Sequence, residues 1–270
     1  MILGKAISPF ALRKKSSGGG GTDADAQAFI TATGISGTNA TATNQLVVDL
    51  KAANIWTKMK AVYPLVGGTA TSHKYNLLNP VDSNGAYRLV FAGGVTHSSN
   101  GILGNGTNAY ADTFLNPLTV FPSGFSSIGF YNKVATTNQG VYMGTTVGTT
   151  NLFRIAPASL NIRHFNKGAA AAQTNNPITN EIGFHANSRT SNTLMTSIDN
   201  TGAFQTNTTT VSLAYASFNI PLLALNSSGT IVSYSNAQFS FAYISDALTS
   251  SELTSLKNIN QTFQTTLGRI

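Results

Sequence analysis

An antiparallel β-sandwich or barrel, prefaced by two helices and closed by a third, is the fold class this sequence predicts. Three observations carry it. From about Leu77 to Tyr243, short runs of β-branched and aromatic residues alternate with clusters of Gly, Asn, Ser and Pro, which is the pattern of short strands joined by tight turns. On either side of this region apolar residues recur at helical spacing. The composition agrees: 41% hydrophobic residues with 9% aromatics can fill a core, while only 9% charged residues argue against a coiled coil, a charged helix array or a disordered chain. Hydration of the surface falls to Thr, Asn, Ser and Gly.

Each element follows from its own residues. Thr22 or Asp23 can N-cap a short helix through residues 25–30 that ends near Gly34. A second helix is expected to start at Thr41 or Thr43. Leu46, Val47, Leu50, Ala53 and Ile55, then Met59 and Val62, share its apolar face, and Pro64 ends it. Trp56 lies on this helix and is expected in the core, where large aromatic rings anchor packing. Strands are expected over residues 87–91, 125–131, 141–143, 152–155, 162–165, 181–185, 191–198, 211–215, 218–225 and 239–244. Asn200-Thr201-Gly202 and Asn226-Ser227-Ser228-Gly229 read as hairpin turns. Near the end, Thr249 or Ser250 can cap a helix with Glu252 in its first turn. Leu253, Leu256, Ile259 and Phe263 form its apolar face, and Gly268 stops it.

Sixteen Lys and Arg against nine Asp and Glu leave a net charge of +7. The resulting pI near 9.7 is one mark of nucleic-acid binding. Its distribution argues otherwise: Lys5, Arg13, Lys14 and Lys15 all precede the first acidic residue, Asp23, so +4 sits in a short arm and 7 − 4 = +3 in the remainder. That remainder has no basic helix and no RNA-binding aromatic motif, so nucleic acid is not an expected partner. After the arm comes Ser16-Ser17-Gly18-Gly19-Gly20-Gly21, a flexible linker by composition. The chain therefore divides into an arm and linker (1–21), a helical preface (22–66) and a β-rich body with its closing helix (67–270). Two readings of the arm stand side by side. It is a disordered tail, or an anchor in which Ile2, Leu3, Ile7, Phe10 and Leu12 dock on a partner together with Lys5, Arg13, Lys14 and Lys15. Its charges follow its apolar residues, the reverse of a signal peptide. No segment reaches the roughly 18 apolar residues of a membrane helix, so no membrane insertion is expected. The absence of cysteine excludes disulfides, thiolate chemistry and cysteine-ligated zinc.

Catalytic chemistry finds little footing. Paired carboxylates that cleave glycans on a strand need a spacing of two to share one face. Only Asp23 and Asp25 have it, at a helix start where capping explains them. His73, His97, His164 and His185 show no metal-ligand spacing, and His164 and His185 read as ordinary sheet residues. Asp82-Ser83-Asn84-Gly85 opens like a calcium loop but lacks the later acidic ligands, so a turn is expected. No catalytic residue, metal or cofactor is expected.

Phe239 to Arg269 resembles the closing strand and helix of concanavalin A-like, laminin-G-like domains, with Tyr243, Leu248, Ser250 or Ser251, Glu252, Leu253 and Leu256 at the matching places. Further upstream, three stretches are similar to phage and prophage proteins of the Bacteroidetes and related bacteria. These are Leu46-Val47-Val48-Asp49-Leu50-Lys51 with Trp56-Thr57-Lys58-Met59, the block from Asn79-Pro80 through Tyr87 to Gly101, and Asn105 to Thr113. This resemblance implies an antiparallel concanavalin A-like jelly-roll sandwich. It also implies a virion structural protein, a surface fibre, spike, decoration or tail component that exposes a lectin-like module. The partners it implies are other virion subunits held through the arm, further copies of the chain in a homo-oligomer, and a host surface glycan. Thr96, His97, Ser98, Asn100, Asn105, Asn108 and Tyr110 are the candidate glycan contacts, because neutral polar side chains and an aromatic ring suit a sugar. A loop that hydrogen-bonds to itself is the other reading of the same residues. The alternative for the whole chain is a secreted or periplasmic bacterial protein that binds or processes glycans.

Overall fold

The computed structural model describes residues 21–149, 151–158, 161–177, 181–211 and 214–270; the arm residues lie outside them. Two helices come first, α1 (Ala24–Thr33) and α2 (Gly37–Ala52), then strand β1 (Met59–Tyr63) and a single helical turn α3 (Ala70–His73). Short strands β2 (Val90–Ala92), β3 (Thr96–Ser98), β4 (Gly101–Leu103) and β5 (Tyr110–Asp112) follow, with the turn α4 (Pro117–Val120) after them. The long strands are β6 (Ser126–Asn132), β7 (Met143–Val147), β8 (Asn151–Ala158) and β9 (Asn161–Gly168). After these come β10 (Thr174–Pro177), β11 (Gly183–Ser191), β12 (Leu194–Ile198), β13 (Phe204–Asn207), β14 (Pro221–Leu222), β15 (Leu225–Ser227), β16 (Thr230–Val232) and β17 (Gln238–Asp246). Helix α5 (Ser250–Thr266) closes the chain.

Two sheets form a sandwich. The first runs β13-β12-β11-β6-β17-β4-β3, with β1 also pairing to β17; the second runs β10-β9-β8-β7-β14-β5-β2, with the β15–β16 hairpin alongside β7. Pairing is antiparallel except for the short β15–β7 contact, Asn226 with Thr145 and Ser227 with Thr146. Between the sheets lies one core, including Phe130, Tyr142, Phe153, Ile155, Leu222 and Phe239. Phe130 and Phe239 stack with ring centroids 4.5 Å apart. A second core fills the outer face of the first sheet, where Phe29, Leu46, Leu50, Leu253, Leu256 and Phe263 from α1, α2 and α5 cover Phe184 and Tyr243. The helical preface and the closing helix thus share one apolar layer on one side of the sandwich.

Toward β9–β13 the inter-sheet layer turns polar. His164, Asn166, Asn176, Asn187, Arg189 and Ser197 are all buried there. Asn166 donates to Asn187 Oδ1 at 2.9 Å, Tyr215 donates to Asn166 Oδ1 at 3.0 Å, and Thr174 donates to Ser197 Oγ at 2.6 Å. Most of these groups bond one another, which makes their burial tolerable, but among the described residues neither ring nitrogen of His164 meets a partner.

Local signals held where a few residues decide the conformation. Asp23 caps α1 by accepting from Asp25 N, and Gly34 ends it in the left-handed region at φ 69°. Thr249 and Glu252 form the expected capping box on α5. Thr249→Ala is therefore expected to cost about 1 kcal/mol in urea unfolding; a change indistinguishable from zero would show that the cap is dispensable. Between β15 and β16, Ser228 at φ 52° and Gly229 at φ 94° are the two central residues of a tight hairpin loop, both in the left-handed region that such a loop demands.

Four expectations need correction. The second helix starts at Gly37 and stops at Ala52, so Met59 and Val62 are not on it. Asn54 at φ 57° breaks the helix, and residues 59–63 become a strand because β17 offers its edge, with Ala61 opposite Ile244 and Val62 opposite Tyr243. Trp56 sits in a single turn of 3₁₀ helix (Trp56–Lys58) at the rim of the second core, half-buried, with Lys51 Nζ 5.4 Å from its ring. Of the strand expected over 211–215, Val211, Ala214 and Tyr215 are outside any strand, and the two residues between lie outside the described set. The strand expected over 218–225 is broken at Leu223 (φ 66°), which leaves only Pro221–Leu222 paired before Leu225.

Candidate functional site

The carboxylates come first, since they would carry glycan hydrolysis. Asp82 pairs with Lys74 and Arg88, Asp246 with Lys60, and Glu252 with Lys58. Asp112 accepts from Phe114 N at 2.8 Å, Glu181 from Thr136 N at 2.6 Å, and Asp199 from Thr201 N at 2.9 Å. Each therefore holds a turn or a partner element. Among the described residues no group of three or more His, Asp and Glu is placed to hold a metal ion, and no helix is long and apolar enough to cross a membrane.

The residues 96–110 form a compact end of the sandwich. Asn105 organises it: its Oδ1 accepts from Thr107 N, Asn108 N and Ala109 N at 2.9 to 3.0 Å, and its Nδ2 donates to Gly93 O and Asn108 Oδ1, both at 2.8 Å. Ser98 Oγ accepts from Asn100 N at 3.2 Å. His97 turns inward. Its ring stands edge-on to Phe91, centroids 4.5 Å apart, and its Nδ1 lies 3.0 Å from Nδ1 of His73. Gly68 N donates to His73 Nε2, so the proton of the neutral His73 ring lies on Nδ1 and is given to His97. Burial holds His73 down to about 3, with His97 and Arg269 adding repulsion; burial lowers His97 as well. Thr96 is exposed, on an edge strand away from this loop's tip.

Tyr110 differs from these. On β5 the neighbouring Ala111 belongs to the inter-sheet core, so Tyr110 faces outward and is half-exposed. Its ring lies 6.2 Å from that of Tyr234, tilted by 46°. Tyr234 is itself fixed: its hydroxyl donates to Ile231 O at 2.9 Å, and its carbonyl accepts from Asn138 Nδ2 at 2.8 Å. Asn236 Nδ2 donates to Thr137 Oγ1, and Thr137 N donates to Asn236 Oδ1. A side chain at Gly106 would meet Asn138 and Asn236, so three loops, around 105–108, 137–140 and 234–236, converge beside the tyrosine pair. The sequence pointed to Asn108 and Tyr110; Tyr234, Asn138 and Asn236 went unseen because they join the site only through folding.

The charges are also sorted by the fold. The ion-paired cations are Lys51, Lys58, Lys60, Lys74 and Arg88, all before residue 89. Arg154, Arg163, Lys167 and Arg189, on β8, β9 and β11, have no carboxylate partner. Lys133, Lys257 and Arg269 likewise lack a carboxylate partner among the described residues, so four of the seven unpaired cations fall on these three strands.

No protein-family model matches this chain, and no curated protein does. Solved structures do resemble it. Domain 4 of AbnA, a GH43 extracellular arabinanase from Geobacillus stearothermophilus, in complex with arabinotriose, has a TM-score of 0.50 and 13% identity over 74% of this chain and 98% of that domain. A structure of botulinum neurotoxin type C, whose cell entry depends on two ganglioside molecules, gives 0.49 and 12% over 80% of this chain and 53% of that one. The Ruminococcus gnavus sialidase CBM40 bound to α2,3 sialyllactose gives 0.38 and 13% over 49% and 82%. Identities this low speak to architecture alone. In architecture, this chain is an antiparallel β-sandwich with helices packed on one face.

Proposed function

We propose that the chain is a non-catalytic glycan-binding module. The observation that carries this reading is the half-exposed Tyr110–Tyr234 pair at a loop end crowded with Asn, Thr and Gly. Aromatic faces take the C–H side of a sugar ring, and the exposed amide of Asn108 suits its hydroxyls, while Asn138 and Asn236 fix the loops around it. Every carboxylate of the sandwich is occupied structurally, which favours binding over hydrolysis. Tyr234→Ala and Tyr110→Ala are each expected to weaken binding to a neutral oligosaccharide at least tenfold on a glycan array, with unfolding midpoints little changed. An array that is silent for the wild-type protein, or signals that survive both substitutions, would refute the site.

A setting on a virion surface is proposed from the sequence alone: a basic, partly apolar arm and a Gly-rich linker precede the module. In that setting the arm docks on neighbouring virion subunits, and several copies of the module face the host. Deletion of residues 1–21 should then abolish incorporation into particles while leaving the module folded; unchanged incorporation would remove the anchor role.

A further inference from the structure

Lys167 occupies an unusual position. In the β8–β9 pairing Leu152 faces Gly168 and Phe153 faces Asn166, so Lys167 is the extra residue of a β-bulge. Its backbone is left-handed, φ 59°, a conformation that costs little for glycine and is strained for lysine. Bulges re-aim side chains, and this one turns the lysine stem inward until only 9% of the residue is exposed. The ammonium then lies 5.4 Å from the Phe125 ring and 5.9 Å from the Tyr215 ring.

Among the described residues no carboxylate, carbonyl or hydroxyl accepts a hydrogen bond from Lys167 Nζ, although the ammonium of a largely buried lysine ordinarily has such a partner. Behind it lies a second cation, Arg189, fully buried, whose guanidinium donates, among the described residues, to Asn166 O, Asn192 O and Met195 Sδ and meets no carboxylate. Burial, and then repulsion from Arg189, lower the Lys167 pKa. Lys167 opens into a pocket of about 260 Å³ whose outer wall is formed by Leu118, Pro122, Ser123 and Gly124. Gly124 lies in the left-handed region at φ 73°, which favours glycine, and a Cβ there would push the Lys167 ammonium aside. By strand register this pocket sits at the Val147–Asn151 end of the second sheet, whereas Tyr110 and the 105–108 loop lie toward the opposite end.

We propose that this pocket is a second binding site, an anion subsite in which the Lys167 ammonium receives the carboxylate or sulfate of an acidic sugar. The exposed apolar side chains of Leu118 and Pro122 lie beside the C–H face of the ring, and Ser123 offers a hydroxyl at the rim. An anion supplies the acceptor that is missing among the described residues, in the field of Arg189. The choice of a sugar as the carrier rests on the glycan-binding reading; the anion site itself rests on Lys167.

The test is a calorimetric titration of the full chain with D-glucuronate, D-glucose 6-sulfate and D-glucose, repeated with Lys167→Met and Lys167→Arg. Glucuronate, glucose 6-sulfate or both should bind at least tenfold more tightly than glucose, and which of them binds identifies the anion. Lys167→Met should remove that preference at least tenfold, Lys167→Arg should keep part of it, and Lys167→Met should unfold at the same or a higher denaturant concentration, since it removes an unpaired buried cation. Equal binding of all three sugars, a charge preference that survives in Lys167→Met, or no binding at all would overturn the proposal. The two sites fail separately. Neutral-glycan signals lost with Tyr234→Ala, alongside no charge preference, would sink only this subsite; charge-dependent binding with a silent neutral array would sink only the tyrosine site.

Discussion

Lowering the pH from 7.5 to 4.5 is expected to cost the folded protein at least about 5 kcal/mol, read as a falling urea midpoint. The cause is histidine burial. His73 is held down to about 3 and His185 to about 4, both chiefly by desolvation, and His164 is driven well below its ordinary value. The folded state keeps these rings neutral, while the unfolded chain protonates them as pH falls through about 6.5. Unfolded protein therefore binds more protons across this window. Stability is complete above about pH 6.5 and is lost as pH falls toward the folded values. Two units of pH below 6.5 amount to roughly 2.5 kcal/mol for each of His73 and His185, and His164 acts in the same direction. Around His185, the charges of Asp199 and Glu181 oppose the shift without cancelling it. His73 faces His97 and Arg269, which both add to it. Asp23 and Glu252, whose lysine partners hold them low, contribute only below about pH 4, in the ordinary carboxylate range. His185→Gln should flatten the curve between pH 6.5 and 4.5. A midpoint that stays level from pH 7.5 to 5 would contradict the burial assigned to these rings.

Arg269→Ala is expected to cost about 4 kcal/mol, because it leaves several buried carbonyls without a donor. The side chain is 2% exposed and lies one residue from the end of the chain. Its guanidinium donates to Ser99 O at 2.7 Å, Leu65 O at 2.8 Å, Ser240 O at 3.1 Å and Pro64 O at 3.4 Å. Its own carbonyl accepts from Lys133 Nζ. One residue thus joins the exit of β1, the β3–β4 turn, β17 and the C-terminus. Burial brings its pKa down to about 10, still far above neutrality, so the cation persists. Arg269→Lys should recover less than half of the loss, since an ammonium cannot reproduce the planar fork of donors. Urea unfolding of both variants checks this; an alanine variant within 1 kcal/mol of wild type would mean that water replaces the guanidinium.

The sequence was most legible where a few neighbouring residues settle the matter. Asp23 with Gly34, Thr249 with Glu252, and Ser228-Gly229 each specify a cap or a turn by local geometry, and the structure has them. Strands β6, β8, β9, β11 and β17 were visible through their β-branched and aromatic runs. Strand β1 was not, because Met59 and Val62 also continue a helical period, and only the edge offered by β17 decides between the two. Asn105 was legible as a loop residue, but its side chain is spent on four backbone groups and Asn108, which spacing alone does not reveal. Tyr234 and Lys167 gave no local signal. One reaches Tyr110 across the fold, and the other is aimed by a register shift of a single residue.

What the sequence determined by itself is the class of the fold and its edges: a neutral-polar, β-rich body between helices, with a basic arm set apart by a glycine linker. Those features depend on composition and on spacings of two to four residues, which act within one element. The tertiary structure decided which polar residues are buried and which cations go without partners. Both depend on pairings between residues far apart in sequence. His164 and His185 face one another only because β9 and β11 lie in opposite sheets, and Lys167 points inward only because Leu152 pairs with Gly168 while Phe153 pairs with Asn166.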